Sequence, residues 1–259
     1  MPNKVNKYGI NYCVLIPTYN NDKTLEKIIE SVLHYTFNVI VVNDGSNDGT
    51  ESILEQFKNK IDIISSKKNL GKGKALRKGF KRAEELGYEY AITLDSDGQH
   101  FPSDIPKFLE KVKPGDNILI IGNRDMSAAN IPPKSIFGRK FSNFWVKLET
   151  NRDLMDTQSG YRLYTVAKMN RFHFFTTRYD FELESLVRWV WSDYPVEIVT
   201  INVHYPPPDE RVSHFRGFKD NFHISVLNTI LVTITVIYII PRKIYRETIK
   251  ILKNTFFVI

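Results

Sequence analysis

Asp95-Ser96-Asp97 places two carboxylates two residues apart, directly after the apolar run at residues 90–94. If that run is a buried strand, the aspartates stand at its carboxyl end, where open α/β sheets bind their ligands. Two carboxylates this close are costly unless a cation lies between them. Hard oxygen ligands in an open site suit Mg2+ or Mn2+, ions that usually hold a substrate phosphate as well. An isolated Asp-x-Asp also reads as a solvated turn, so the remaining loops have to decide.

Three further loops sit at expected carboxyl strand ends. They are Pro17-Thr18-Tyr19-Asn20, the run from Asn43-Asp44-Gly45-Ser46 through Thr50, and Asn69-Leu70-Gly71-Lys72-Gly73-Lys74. Each carries groups suited to a nucleoside diphosphate. Tyr19 can pack against a base, Asp44 can accept from a base N–H, and Lys72 can offset phosphate charge. The glycines permit tight turns and close backbone approach. Ser46 and Asp48 read equally well as helix caps.

The elements that must position these loops alternate in the first half. Apolar strands are expected at residues 12–16, 38–42, 62–64, 90–94 and 117–121, with helices at 25–33, 48–59, 74–86 and 103–112. Asp48 and Glu51 form a plausible capping pair for the second helix. Strands that are apolar on both faces imply a mainly parallel sheet covered by helices on both sides, a Rossmann-like α/β fold. Beyond a polar loop at 123–134, helices are expected at 135–149 and 180–191 and a strand at 196–205, which Pro206-Pro207-Pro208 stops.

The 259 residues suffice for one large core, and 42% hydrophobic with 25% charged residues describe a globular chain. The one cysteine, Cys13, lies in an apolar run; it fits a reducing compartment and reads as a core residue. No signal peptide is visible at the N-terminus. The net charge is +7, of which residues 241–259 carry +4. A basic end beside an apolar run suits an anionic membrane surface, and no zinc-finger or aromatic RNA-binding signature points to nucleic acid. Residues 224–240 are 17 positions without a charge, at the lower limit for a span. A span would leave Arg242 and Lys243 outside, so a helix lying in the interface is favoured over a span or a core helix.

The four loops together with Asp156-Thr157-Gln158-Ser159-Gly160-Tyr161-Arg162 resemble glycosyltransferase family 2, and within it the dolichyl- and polyprenyl-phosphate mannose or glucose synthases. The resemblance covers residues 10–205. It implies a GT-A-like domain, here 1–210, with a loop and C-terminal membrane-associated helices in 211–259. It further implies an inverting, metal-dependent transfer from a nucleotide sugar to a polyprenyl phosphate at the cytoplasmic face. Pro17, Tyr19, Asn20, Asp44, Lys72, Asp95 and Ser96 match nucleotide-sugar positions. Asp95, Asp97 and Gln99 match metal positions. Asp180, in Tyr179-Asp180-Phe181-Glu182-Leu183, matches the base or acceptor-side carboxylate, with Glu182 and Glu184 as neighbours and helix capping as its plain alternative.

Arg124, Arg139, Arg162, Arg211 and Arg216 are candidates for phosphate charge, because guanidinium forks suit phosphate oxygens. Arg124, Arg162, Ser213 and Arg216 are carried forward as the acceptor and phosphate set, and His214 as a weaker metal-ligand candidate. Relatives in the family are often oligomeric, so a homo-oligomer belongs among the expectations. The multi-span tail of some lipid-phosphate synthases is missing from this sequence, which keeps a hydroxyl of a lipid or glycan as the alternative acceptor. A sugar nucleotidyltransferase would need a Gly-rich basic loop after the first strand, where this chain has Pro17-Thr18-Tyr19-Asn20. A non-catalytic membrane-associated module is the remaining alternative.

Overall fold

The computed structural model of the protein describes residues 7–125, 131–205 and 217–256. Among the described residues seven strands form one sheet: β1 (Tyr12–Thr18), β2 (Val39–Asn43), β3 (Asp62–Ser65), β4 (Tyr90–Thr93), β5 (Leu119–Arg124), β6 (Arg162–Thr165) and β7 (Val196–Ile201). Their order is β3-β2-β1-β4-β6-β5-β7. The first four are parallel, β6 runs antiparallel to both β4 and β5, and β7 is parallel to β5.

The continuous apolar run of β1 follows from its central place. Val14 and Ile16 enter one core with Leu25, Ile28 and Ile29 of α1 (Leu25–Leu33), Leu54 and Phe57 of α2 (Thr50–Phe57), and Ile105 and Phe108 of α4 (Ile105–Leu109). Cys13 and Leu15 point to the opposite core, with Ala75, Leu76 and Phe80 of α3 (Lys72–Glu85) and Phe181, Leu186 and Trp189 of α7 (Asp180–Trp191). A strand buried on both faces has no polar face to alternate with. Cys13 is a core residue, as expected, and burial pushes its thiol up.

Three expectations are corrected. β6 and the short helix α6 (Val166–Arg171) lie outside the sequence-based expectations, because four and six residues are too few to show a period. The Asp48–Glu51 capping pair does not close: Asp48 accepts from the Thr50 amide, while Glu51 accepts from Asn43 Nδ2 and Ser65 Oγ on the sheet edge. The expected helix at 103–112 is a 3-10 turn, Pro102–Asp104, followed by only five α-helical residues.

The apolar stretch at 224–240 belongs to a longer helix. α8 (Gly217–Ile234) passes through a π turn (Thr235–Ile239) into α9 (Ile240–Phe256). α8 packs against α5 (Pro133–Thr150) and α7. Asp220, Leu227, Asn228, Leu231, Thr235 and Ile239 are buried along one side, and Lys243 and Arg246 then reach Asp193. Contacts therefore recur over residues 220–246, a run of about 39 Å at 1.5 Å per residue. The helix lies lengthwise against the sheet domain.

At that junction Thr235 Oγ1 and Trp191 Nε1 both donate to the Glu149 carbonyl, while both Glu149 carboxyl oxygens are buried without a partner among the described residues. Burial pushes the Glu149 carboxyl up to about 8. The fold therefore keeps it neutral while the unfolded chain ionises it. Its contribution to stability is complete below about pH 4.5 and is lost as pH rises to about 8. In thermal melts, Glu149→Gln is expected to raise stability at pH 7.5, by at most about 4 kcal/mol, and to flatten that pH slope.

Candidate active site

Parallel strands β3, β2, β1 and β4 present their carboxyl ends on one edge. There Pro17, Tyr19, Asn20, Asp44, Lys72, Asp95, Ser96, Asp97 and Gln99 line one open cleft of about 400 Å3. All nine were expected nucleotide-sugar or metal positions. Arg178 and Tyr179, from the approach to α7, close the cleft from the other side.

Hydrogen bonds tie the loops to one another. The Asn20 amide donates to Ser46 Oγ, and the Asn47 amide to Asn20 Oδ1, each at 2.9 Å. Asn20 takes a left-handed φ of 50° to do so. Ser96 Oγ donates to the Pro17 carbonyl and accepts from Asn21 Nδ2 at 2.7 Å. Asp44 accepts from the Leu70 amide at 3.0 Å and the Gly71 amide at 2.7 Å. Burial raises the Asp44 carboxyl, and the two amides offset part of that rise. Asp44 and Ser96 thus fix the shape of the cleft as well as facing it. Gly71, at φ 100°, has no room for a Cβ beside the Thr177 carbonyl.

The charged centre lies deeper. Lys72 Nζ stands 2.7 Å from Asp95 Oδ1 and 3.0 Å from Glu182 Oε1. Burial works against the Lys72 charge, but the two carboxylates hold its pKa well above the usual value. Asp95 is likewise opposed by burial yet held below the usual carboxylate range, chiefly by Lys72. Asp97 forms no ion pair among the described residues: burial and the charge of Asp95 push its carboxyl up to about 6, against a smaller opposing pull from Lys72. Its Oδ1 accepts from the Gln99 amide at 2.9 Å across the turn at Gly98. Close by, burial lowers His100 to about 4, so it is neutral at pH 7.

Among the described residues no three His, Cys, Asp or Glu side chains gather as a metal site. The donor set nonetheless fits a hard divalent ion. Asp95 and Asp97 are oxygen ligands at a cleft open to a diphosphate, and a carboxyl buried beside a second carboxylate is the kind of group a cation stabilises. Asp95, Asp97 and Gln99 would hold it.

Other expected residues are placed elsewhere. Asp180 lies outside the cleft lining, and its Oδ1 accepts from the Arg178 amide at 2.9 Å at the start of α7. The carboxylate that this segment delivers to the charged centre is Glu182, two residues on. Glu184 is buried and holds the Phe175 and Thr176 amides and Arg188. Arg162 is fully buried, and its donors go to the Ser159, Thr157 and Glu182 carbonyls and to Tyr164, so it does not face a ligand. Arg124 grips Asp156 with Nε at 2.7 Å and Nη2 at 2.9 Å, and Arg139 donates to Asn123 and to the Arg124 and Met155 carbonyls. Arg211, Ser213, His214 and Arg216 lie outside the described residues.

Sequence reasoning missed Arg178, Tyr179 and Gly160 as site residues. A Cβ on Gly160 would stand 2.6 Å from Glu182 Oε1, 2.8 Å from Asp95 Oδ2 and 3.1 Å from Lys72 Nζ. The motif Gln158-Ser159-Gly160 carried that signal, but nothing in it names the three side chains that need the space. Because those atoms are locked to one another in a buried ion cluster, Gly160→Ala is expected to lower the melting temperature as the charges are forced apart. Turnover should also fall at least about tenfold, since sub-ångström displacement at a site is costly; steady-state kinetics beside a thermal melt checks this.

Comparison with known proteins agrees with this geometry. The family model for glycosyl transferase family 2 matches residues 13–176. The UDP-N-acetylglucosamine–dolichyl-phosphate N-acetylglucosaminyltransferase of Methanococcus voltae is 29% identical over 175 residues, covering 60% of this chain and 70% of the relative. The polyprenol monophosphomannose synthase of Mycolicibacterium smegmatis is 29% identical over 160 residues, covering 58% and 60%. Among solved structures, glucosyl-3-phosphoglycerate synthase from Mycobacterium tuberculosis, crystallised with Mn2+, UDP-glucose and phosphoglyceric acid, superposes with a TM-score of 0.65 at 16% identity, covering 88% of this chain and 81% of the other. That likeness extends the GT-A-like fold over the mostly parallel sheet. The chain belongs to glycosyl transferase family 2 and resembles its polyprenyl-phosphate sugar transferases.

Proposed function

We propose that the protein is an inverting transferase that moves a sugar from a nucleoside diphosphate sugar to a polyprenyl phosphate at the cytoplasmic face of a membrane. Residues 1–210 are the transfer unit and 211–259 the membrane-directed arm. The observation that carries the reading is the cleft in which Asp97 stands beside the Asp95–Lys72–Glu182 cluster at the strand ends. The names of the two relatives above support a lipid phosphate as acceptor.

In this reading Tyr19 packs on the base, and Asp44 with the loop it holds borders the base and ribose. A bound Mg2+ or Mn2+ supplies positive charge to the departing nucleoside diphosphate, a Lewis-acid role. Lys72 keeps Asp95 ionised and in place for it. Arg178, at the rim, offsets phosphate charge. A phosphate acceptor is already anionic and needs no base, which agrees with a Glu182 carboxylate committed to Lys72. The packing of α8 against α5 and α7, with Lys243 and Arg246 of α9 reaching Asp193, supports a helix lying in the membrane plane rather than one crossing it.

The test is transfer of radiolabelled sugar to a detergent-dispersed polyprenyl phosphate with Mn2+ or Mg2+. The product should be labile to mild acid, as a sugar phosphodiester of a polyprenol is; an acid-stable glycolipid would sink the phosphate acceptor in favour of a hydroxyl. Asp97→Ala should lower kcat/KM by at least about a hundredfold. Glu182→Gln should also cost about a hundredfold by unbalancing Lys72, whereas Asp180→Asn should cost less than about tenfold. The opposite ranking would return the acceptor-side role to Asp180.

A further inference from the structure

Helix α5 carries an apolar stripe that faces outward. Phe137, Phe141, Phe144 and Leu148 follow a 4-3-4 spacing, on one side of the helix, and are 71%, 43%, 61% and 52% exposed. Phe137 stacks on Phe141, and Trp145 contacts Phe141 and Phe144. Lone exposed apolar residues are ordinary, but a contiguous aromatic row marks a contact surface. Exposed Lys140 and Lys147 stand along the row, the arrangement of a helix that lies in an anionic bilayer surface.

The neighbouring helix continues the pattern. α8, which packs against α5, exposes Phe222, Val226 and Ile230, and the π turn and α9 expose Val236, Ile237, Tyr238, Ile240 and Ile244. α9 adds Arg242, Lys243, Arg246 and Lys250, with one acidic residue among them. Two adjacent helices therefore present apolar rows with basic flanks, and their buried sides are already used by the sheet domain. On its inner side, α5 reaches the strand ends through Arg139, which donates to Asn123 and to the Arg124 carbonyl, and through Gly138, which abuts Gln158.

We propose that α5 is a second membrane-inserting surface, separate from the C-terminal helix, which docks the sheet domain on an anionic bilayer and ties its depth to the strand ends beside the cleft. The inference rests on the reading that the acceptor is a membrane lipid. It adds an element of the transfer domain itself to the membrane contact.

Trp145 is a built-in reporter, since Trp189 and Trp191 are buried in the core. The full chain is mixed with vesicles of phosphatidylcholine and phosphatidylglycerol, with and without brominated acyl chains. Bromine should quench fluorescence strongly, and Trp145→Phe should remove most of that quenching. The double variant Phe137→Ser/Phe144→Ser, with an unchanged melt, should bind vesicles at least about tenfold more weakly. Vesicle binding without Trp145 quenching, and unaffected by the double variant, would overturn the role of α5. Turnover on detergent-dispersed acceptor in that same case would leave the acceptor reading standing. A dimer in sedimentation that the double variant makes monomeric would also overturn the proposal, by showing the stripe to be a self-association face.

Discussion

The Lys72 ammonium between the Asp95 and Glu182 carboxylates is the contact on which the site depends. It joins the start of α3, the end of β4 and the first turns of α7, three elements far apart in the chain. Each of the three charges would be costly to bury alone, and together they are tolerable only at short distance. The consequence falls on Asp97, which is buried beside the Asp95 charge and is not paired with Lys72, so its carboxyl is pushed up. The cluster thus leaves one carboxylate in want of positive charge at the place where a diphosphate and its ion would enter.

Around that centre, polar side chains do two jobs at once. Asp44 and Ser96 face the cleft and also pin neighbouring loops. Arg124, Arg139 and Arg162 spend their donors on carbonyls and on Asp156. This is the usual requirement that buried polar groups find partners. It ties the loops around the cleft to one another. Glu149 breaks the rule, and it does so where α5 meets the long C-terminal helix.

The amphipathic character of the surface is lopsided. One face of the sheet is closed by α1, α2 and α4, whose outer sides are polar in the ordinary way. The other carries α5 and the continuous α8–α9 helix, which leave aromatic and aliphatic rows in the open. Apolar surface of that extent has to be covered in solution or used, and the proposed transfer to a lipid would give it a use.

Much of the fold was legible because its signals are local. β1, β2 and β4 are apolar on both faces, α1 shows its helical period in Leu25, Ile28, Ile29 and Val32, and loops rich in Asp, Gly and Asn stand where strands stop. From these, the α/β class and the residues at the cleft followed. What could not be read were choices made by packing. Nothing in Arg162-Leu163-Tyr164-Thr165 says that it runs antiparallel between β4 and β5, since register and direction are settled by neighbouring strands. Asp180 and Glu182 are both acidic and lie in one short segment. Only the direction in which α7 leaves the loop turns Glu182 toward Lys72 and leaves Asp180 at the helix start. Arg162 was chosen by motif as a phosphate ligand, yet the fold needed its long, many-donor side chain to satisfy buried carbonyls. Residue type and spacing determined which groups were available for chemistry. Three-dimensional packing decided which of them meet, because charge pairing and burial act through distances that the linear order does not contain.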